Sequence, residues 1–300
     1  MKLFKSVIIT SIVLLMFSCV NKEKKEHLFI PVRGKDSGVN FNNTINTNDS
    51  LNILNYEYLY NGGGVGIGDF NNDDLPDLVF SGNQVESKIY INKGDLNFVD
   101  ITETLGIDTN AKWCTGVSIV DINQDGFDDI YISVGGVGDH QDYPNLLYIN
   151  NKDLTFTESA EAYGLDNKMK SIQALFFDYD LDGDLDMYLL TGGDFKESSN
   201  TIRSISDQGE SPNTDRFYRN DFDSNKNHPV FTDVSQEAGI TIEGFGLGVS
   251  IIDANQDDWP DIYVSNDYIA RDFLYINQQD GTFKEKSRDY FGHTSRFSMG

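Results

Sequence analysis

GVGIGDFNNDDLPDLVF, residues 64–80, is the stretch from which this chain is best read. Four aspartates and two asparagines crowd into DFNNDDLPDL (69–78), between a glycine-rich apolar run and a short apolar tail. A run this polar cannot sit unpaired in an apolar core. Its flanks have strand composition. The segment is therefore a solvated turn, half of an EF-hand, or a cation site of another kind, held between two strands.

The stretch returns three times, as GVSIVDINQDGFDDIYI (116–132), QALFFDYDLDGDLDMYL (173–189) and GVSIIDANQDDWPDIYV (248–264). The leading aspartates Asp69, Asp121, Asp178 and Asp253 lie 52, 57 and 75 residues apart. Periods of this size belong to solenoids, arrays and propellers. Each copy also has a second half: KIYINKGDLNFVDIT (88–102), NLLYINNKDLTFTES (145–159), RFYRN (216–220) continuing to PVFTDVS (229–235), and FLYINQQDGTFKEKS (273–287). A short Tyr/Ile run, a turn rich in Asn, Asp and Gly, and a run around Phe98, Phe156, Phe231 or Phe283 make a hairpin signature.

Every repeat thus supplies about four strands, the content of one β-propeller blade. The expected fold is all-β, a propeller of four-stranded blades over residues 28–300. Separate hairpins stacked in a sandwich are the alternative. HLFIPVRGKDSGVNF (27–41) resembles LNFVDITETLGID (96–108) and is expected to carry a strand and its exit that complete another blade. FSMG (297–300) matches FGLG (245–248), so the sequence is expected to stop inside a fifth repeat of a longer protein.

Aligned from their first residue, the four loops 69–77, 121–129, 178–186 and 253–261 agree in register. Position 1 is Asp69, Asp121, Asp178 or Asp253. Position 3 is Asn71, Asn123, Asp180 or Asn255. Position 5 is Asp73, Asp125, Asp182 or Asp257, and position 9 is Asp77, Asp129, Asp186 or Asp261. Alternate oxygen side chains converging on one hard cation is the logic of a calcium loop, in which position 7 offers its backbone carbonyl. Here position 7 is Leu75, Phe127, Asp184 or Trp259. Sulfur and imidazole ligands are missing from the pattern, which disfavours zinc and copper. An EF-hand needs Glu at position 12 and a following helix. Phe80, Ile132, Leu189 and Val264 stand there instead, in strand sequence.

Position 6 calls for a residue that tolerates positive φ. Gly126 and Gly183 do so freely, Asp74 and Asp258 at some cost. The third loop, with Asp at 1, 3, 5 and 9 and Asp184 beside them, is expected to bind most tightly. The metal-free alternative is a set of Asx turns. Four copies in one register favour calcium, up to four ions in this chain. Seventeen of the 48 acidic residues fall in these loops, where an opposing charge would relieve their repulsion.

The chain has 300 residues, 39% of them hydrophobic, enough to bury a core in one large domain or two small ones. Its net charge of -25 excludes nucleic acid as a partner, because phosphate would be repelled. Lys2 and Lys5 precede the apolar stretch Val7–Phe17, which ends in Ser18-Cys19. It is shorter than a membrane-spanning helix requires. The pattern is similar to a bacterial lipoprotein signal over 1–19, with lipidation at Cys19 and a polar tether over 20–27. A cleaved soluble form and a retained anchor are the alternatives. Contact with the membrane is expected only through that lipid, on an exported protein at the outer membrane or cell surface. Cys114, in KWCTGVSIVD, is expected to be a buried inert thiol.

The pattern D-x-[DN]-x-D-[GD]-x-x-D between strands, with Phe245-Gly246 leading into the fourth copy, resembles the FG-GAP/VCBS repeats of integrin-α-like propellers. YNGGGVGIGDFNNDDLPDLVFSGN (60–83) and HTSRFSMG (293–300) resemble the bacterial relatives of cartilage acidic protein, in which an ASPIC/UnbV domain follows the propeller. The resemblance covers residues 28–300, so the chain looks like the N-terminal part of such a protein. It implies a propeller, usually seven-bladed, with structural calcium in its loops, and implies no catalytic activity. Asp74 and Asp258, where the family has Gly, depart from its pattern.

NGGGVGIGD is no phosphate cradle, since no Lys-Ser or Lys-Thr follows and four aspartates do. Its glycines are expected to let strands approach closely. His27, His140, His228 and His293 are not spaced as ligands, and the loop 194–214 explains most of the longest repeat spacing. Two functions follow. One is a calcium-stabilised binding or adhesion module recognising a protein or glycan. The other is a glycan-directed enzyme working on the propeller's loop face. No acid/base pair stands apart from the acidic loops, which favours binding.

Overall fold

In the computed structural model each repeat folds into one four-stranded antiparallel sheet, with strands paired in chain order. The described residues are 28–136, 144–192, 203–295 and 298. The chain divides into Met1–Arg33 and Gly34–Gly300. Among the described residues, all strands lie in the second unit. The first sheet is β1 (Val65–Gly68), β2 (Asp77–Phe80), β3 (Lys88–Asn92) and β4 (Phe98–Asp100). The second is β5 (Cys114–Val120), β6 (Asp129–Val134), β7 (Leu146–Asn150) and β8 (Phe156–Glu158). The third is β9 (Ser171–Phe177), β10 (Asp186–Thr191), β11 (Arg216–Asp223) and β12 (His228–Asp233). The fourth is β13 (Gly246–Ile252), β14 (Asp261–Asn266), β15 (Phe273–Asn277) and β16 (Phe283–Glu285).

The register seats the acidic loops. Gly68 pairs with Asp77, Val120 with Asp129, Phe177 with Asp186 and Ile252 with Asp261. Each loop therefore leaves the end of a first strand, and its ninth residue opens the second.

The second strands of the second and third sheets read as unbroken apolar runs because both of their faces are covered. Side chains alternate across a strand. Ile130 and Ile132 of β6 join a cluster with Val79, Ile89 and Ile91 of the first sheet. Tyr131, between them, joins Met187 and Leu189 of the third sheet. Tyr188 and Leu190 of β10 turn the other way, onto Ile262 and Val264 of the fourth. Three clusters thus fill the gaps between successive sheets, which pack face to face in chain order. First strands approach their neighbours so closely that a Cβ on Gly64 would lie 2.6 Å from the Val117 nitrogen, and one on Gly116 2.4 Å from the Ile172 oxygen. The glycines serve close packing, as expected. Cys114 is fully buried, and burial pushes its thiol up to about 11.

Three sheets exit through a helical turn, a 3-10 turn (Thr102–Thr104), α2 (Ala160–Tyr163) or α3 (Ser287–Tyr290), while the third exits through irregular turns. The glycine after the exit packs on the next sheet's fourth strand. A Cβ on Gly164 would lie 2.6 Å from the Phe231 oxygen. Gly38, after α1 (Gly34–Ser37), does the same at Phe98. The resemblance of 27–41 to 96–108 is thus realised in its exit half. Its strand half is not: residues 28–33 carry no strand. The close approach of Gly38 to Phe98 leaves α1 in the place of an exit turn, with no strand before it among the described residues.

Residues 51–63 cross the end of the sheets opposite the acidic loops. Tyr56 meets Trp113 edge-on with ring centroids 5.8 Å apart, and Tyr58 meets Tyr268 at 6.3 Å. The Tyr58 hydroxyl donates to Asp267 at 2.9 Å. No helix among the described residues is long and apolar enough to cross a membrane. The signal stretch, Cys19, the tether, His140 and residues 194–202 lie outside the described residues.

Candidate metal centres

The acidic loops fold their oxygens inward by the same hydrogen bonds in all four copies. The position-1 aspartate accepts the amides of positions 5 and 6. Asp69 accepts from Asp73 at 3.1 Å and Asp74 at 2.8 Å, and Asp121 from Asp125 at 2.9 Å and Gly126 at 2.8 Å. Asp178 and Asp253 repeat the pair, from Asp182 and Gly183 and from Asp257 and Asp258, each at 3.1 Å. Asn71, Asn123 and Asn255 accept the position-5 amide at 3.2, 3.0 and 3.0 Å. Asp73, Asp125, Asp182 and Asp257 each accept the amide of position 7, that is, of Leu75, Phe127, Asp184 and Trp259. Asx turns are therefore formed, and they pre-organise the same oxygens that the calcium reading needs.

Position 6 has positive φ throughout: 64° at Asp74, 88° at Gly126, 98° at Gly183 and 67° at Asp258. Position 4 has it too, with 53° at Asn72, 55° at Gln124, 59° at Leu181 and 62° at Gln256. That second left-handed residue was not legible, because no glycine marks it. It lifts the tip so that both following amides point back to the position-1 carboxylate.

The position-9 aspartates are the anchors. Asp77, Asp129, Asp186 and Asp261 are at most 1% exposed. One oxygen of each accepts the position-2 amide: Phe70 at 3.0 Å, Ile122 at 3.1 Å, Tyr179 at 3.3 Å and Ala254 at 2.9 Å. The other accepts the amide of Asn92, Asn150, Asn220 or Asn277, at 2.7 to 2.9 Å. Burial raises all four carboxyls despite these amides, Asp129 to about 7 and Asp186 to about 8. Neighbouring carboxylates add to the rise.

The third loop departs from the others. Carboxylate oxygens of Asp178, Asp180 and Asp186 lie within 4.8 Å of one another, the only such acidic group among the described residues. Asp182 stands outside the group. Buried Oδ1 atoms of Asp180 and Asp184 have no hydrogen-bond partner. Burial and the surrounding aspartates push Asp184 up to about 6 and Asp180 upward. Unpaired buried oxygens facing an all-oxygen, all-acidic set fit a hard divalent cation and no softer metal.

The third-strand asparagines escaped the sequence reading, although the repeated Tyr-x-Asn of KIYIN, LLYIN, RFYRN and FLYIN was a visible signal. Asn150 donates through Nδ2 to the carbonyls of Phe70 (2.9 Å) and Asp128 (3.2 Å), and Asn277 to those of Tyr179 (2.8 Å) and Pro260 (3.3 Å). Each ties its own acidic loop to the preceding one. Asn72 and Gln124 extend the link by donating to the carbonyls of Gly126 (2.9 Å) and Gly183 (3.2 Å) in the next loop. Leu181, at the same position, carries no such donor. Of the histidines, His228 stacks on Tyr163 with ring centroids 4.4 Å apart, and Tyr163 in turn bonds Asn123 of the second acidic loop.

A family model described as FG-GAP-like repeat matches residues 54–132, which span β1 to β6 and the first two acidic loops. The match supports an FG-GAP repeat protein, all-β and built of four four-stranded antiparallel sheets. No curated protein matches the chain. Among solved structures, it is similar to that of an Agrocybe aegerita lectin, described as specifically recognising non-reducing terminal N-acetylglucosamine. The identity is 16% and the TM-score 0.31, over 73% of this chain and 64% of that one. The chain thus spans under two thirds of that structure's length.

Proposed function

We propose that this chain is the FG-GAP part of a calcium-stabilised β-propeller that serves as a binding or adhesion module, recognising a protein or glycan, on an exported bacterial lipoprotein anchored through Cys19. The observation that carries the calcium reading is the third loop, where three carboxylates converge and two buried oxygens lack partners. Asp178, Asp180, Asp182 and Asp186, with the carbonyl of Asp184, would hold the ion there. The corresponding side chains and the carbonyls of Leu75, Phe127 and Trp259 would do so in the other loops. Calcium supplies positive charge where four or five acidic side chains otherwise repel one another.

Closure into a propeller is supported by the uncovered face of the first sheet. Val65 and Ile67 are 56% and 63% exposed, whereas Val117, the counterpart of Val65, is 8% exposed beneath the preceding sheet. A further blade would cover that face. The resemblance to the bacterial relatives of cartilage acidic protein, with their ASPIC/UnbV domain, belongs to this reading.

The test is thermal unfolding of chelator-stripped protein with calcium, magnesium or EDTA. Calcium at a hundredfold excess over its Kd should stabilise the fold by about 2.7 kcal/mol per independent site. No difference between calcium and EDTA would remove the metal reading. Cys19→Ser should release the protein from the membrane fraction.

A further inference from the structure

A cavity of about 330 Å³ lies where the beginnings of all four first strands meet, at the end of the sheets opposite the acidic loops. Gly63 precedes β1, Trp113 precedes β5, Ile172 lies in β9 and Leu247 in β13. Tyr56 and Tyr58 form one wall and Asn61 stands at the edge. Its volume is within the range of small-molecule sites, about 300–1,000 Å³.

The lining dictates the ligand's chemistry. Among the described residues it holds no Asp, Glu, Lys, Arg or His, and against these residues an ionic ligand would leave water without a counter-charge. Aromatic and aliphatic walls offer flat apolar faces. Polar groups remain available beside them: among the described residues, the Tyr56 hydroxyl, the Asn61 carboxamide and the Trp113 indole N–H make no hydrogen bond. Burial holds the Tyr56 hydroxyl neutral, up to about 12. Tyr58 is committed elsewhere, donating to Asp267, which fixes the wall. Tyr56 is fixed by its edge contact with Trp113. A rigid aromatic wall with a few unspent donors and acceptors suits a ring that has an apolar C–H face and a rim of hydroxyls.

The geometry points to this cavity as a binding site for a neutral sugar, its ring lying against Trp113 and Tyr56 and its hydroxyls meeting Asn61 and the Tyr56 hydroxyl. The inference rests on the binding-module reading and narrows it from protein or glycan to glycan, at a named place. The site is distinct from the acidic loops, and no cation takes part in it.

Isothermal titration of the full chain in calcium with cellobiose, maltose, lactose and mannobiose tests it. At least one should bind. Trp113→Ala and Asn61→Ala should each weaken that binding tenfold or more, and Tyr56→Phe about fivefold. Asn61 is exposed, so Asn61→Ala leaves the fold intact and keeps the result interpretable if Trp113→Ala does not fold. Binding unchanged in Asn61→Ala and Tyr56→Phe would overturn the cavity while leaving a glycan-binding module. No heat with any of the four sugars, alongside capture of a defined protein ligand, would overturn the sugar and leave the binding module standing. Loss of binding in Asp182→Ala with Asn61→Ala unaffected would place recognition at the loops instead, and overturn it too.

Discussion

The side-chain amide of Asn150 donates to the Phe70 carbonyl at 2.9 Å, reaching from the third strand of one sheet into the acidic loop of the sheet before it. The same side chain donates to Asp128, and its Oδ1 accepts the Lys152 amide at 2.9 Å. Asn150 is 2% exposed, so water cannot replace these partners. Asn150→Ala should therefore leave buried carbonyls unpaired and cost about 2–4 kcal/mol. Urea unfolding at constant m-value measures it. A loss below about 0.5 kcal/mol, the size of an ordinary surface change, would mean that the two loops are not held together through this residue.

Asp125 and Asp182 bear on the metal more directly. Both lie at position 5, partly or fully exposed, and each spends one oxygen on the position-7 amide. Asp125→Ala and Asp182→Ala should lower the melting temperature in calcium and change it little in EDTA. Equal losses in both conditions would assign these side chains to the Asx turns alone. The Asp182 substitution should have the larger calcium-specific effect, because the third loop has the most carboxylates to neutralise.

The repeat, the four-stranded sheet and the loop register were all legible because they recur. A pattern seen once is ambiguous, while the same oxygen positions seen four times fix where loop ends and strand begins. Features without a compositional mark stayed hidden. Gln124 and Leu181 adopt the same left-handed backbone from unlike side chains, so no residue type announces it. Nor did the end cavity show itself, since Tyr56 and Leu247 meet across 191 residues of sequence and Tyr56 lies in no repeat. The expected strand near residue 30 failed for the opposite reason. HLFIPV has strand composition, yet composition does not supply a pairing partner.

Gly116 tests the close approach of first strands. A Cβ there would fall 2.4 Å from the Ile172 oxygen and 3.0 Å from the Gln173 Cα, both backbone atoms. Backbone between two packed sheets cannot yield as a side chain can. Gly116→Ala should destabilise by about 1–3 kcal/mol through overpacking. Gly94→Ala is the control: its φ is 88° but nothing lies within 4 Å of the added Cβ, so it should cost about 1 kcal/mol of backbone strain alone. Equal losses at the two sites in denaturant titrations would show that the sheets have room to move apart.

The pH dependence that Glu243 contributes has a definite sign. Its carboxylate is 1% exposed and pairs with Arg203. It also accepts from the Ser206 amide at 3.0 Å, the Ser211 hydroxyl at 3.0 Å and Asn213 at 3.3 Å. Burial alone would raise it. Arg203, the Ser206 amide and the Ser211 hydroxyl outweigh that and hold it down, from 4.5 to about 2. A carboxyl lowered in the folded state stabilises the fold above its unfolded value, and that contribution disappears as pH falls from about 4.5 through about 2. Glu243→Gln should therefore be clearly less stable than the parent at pH 7, and the gap should narrow steadily at pH 4 and pH 3. Residues 203–214, which these bonds fasten, should become the first protease-sensitive site in the variant at pH 7. A stability gap that stays constant from pH 7 to pH 3 would mean that shape, not the charge on Glu243, fastens this segment.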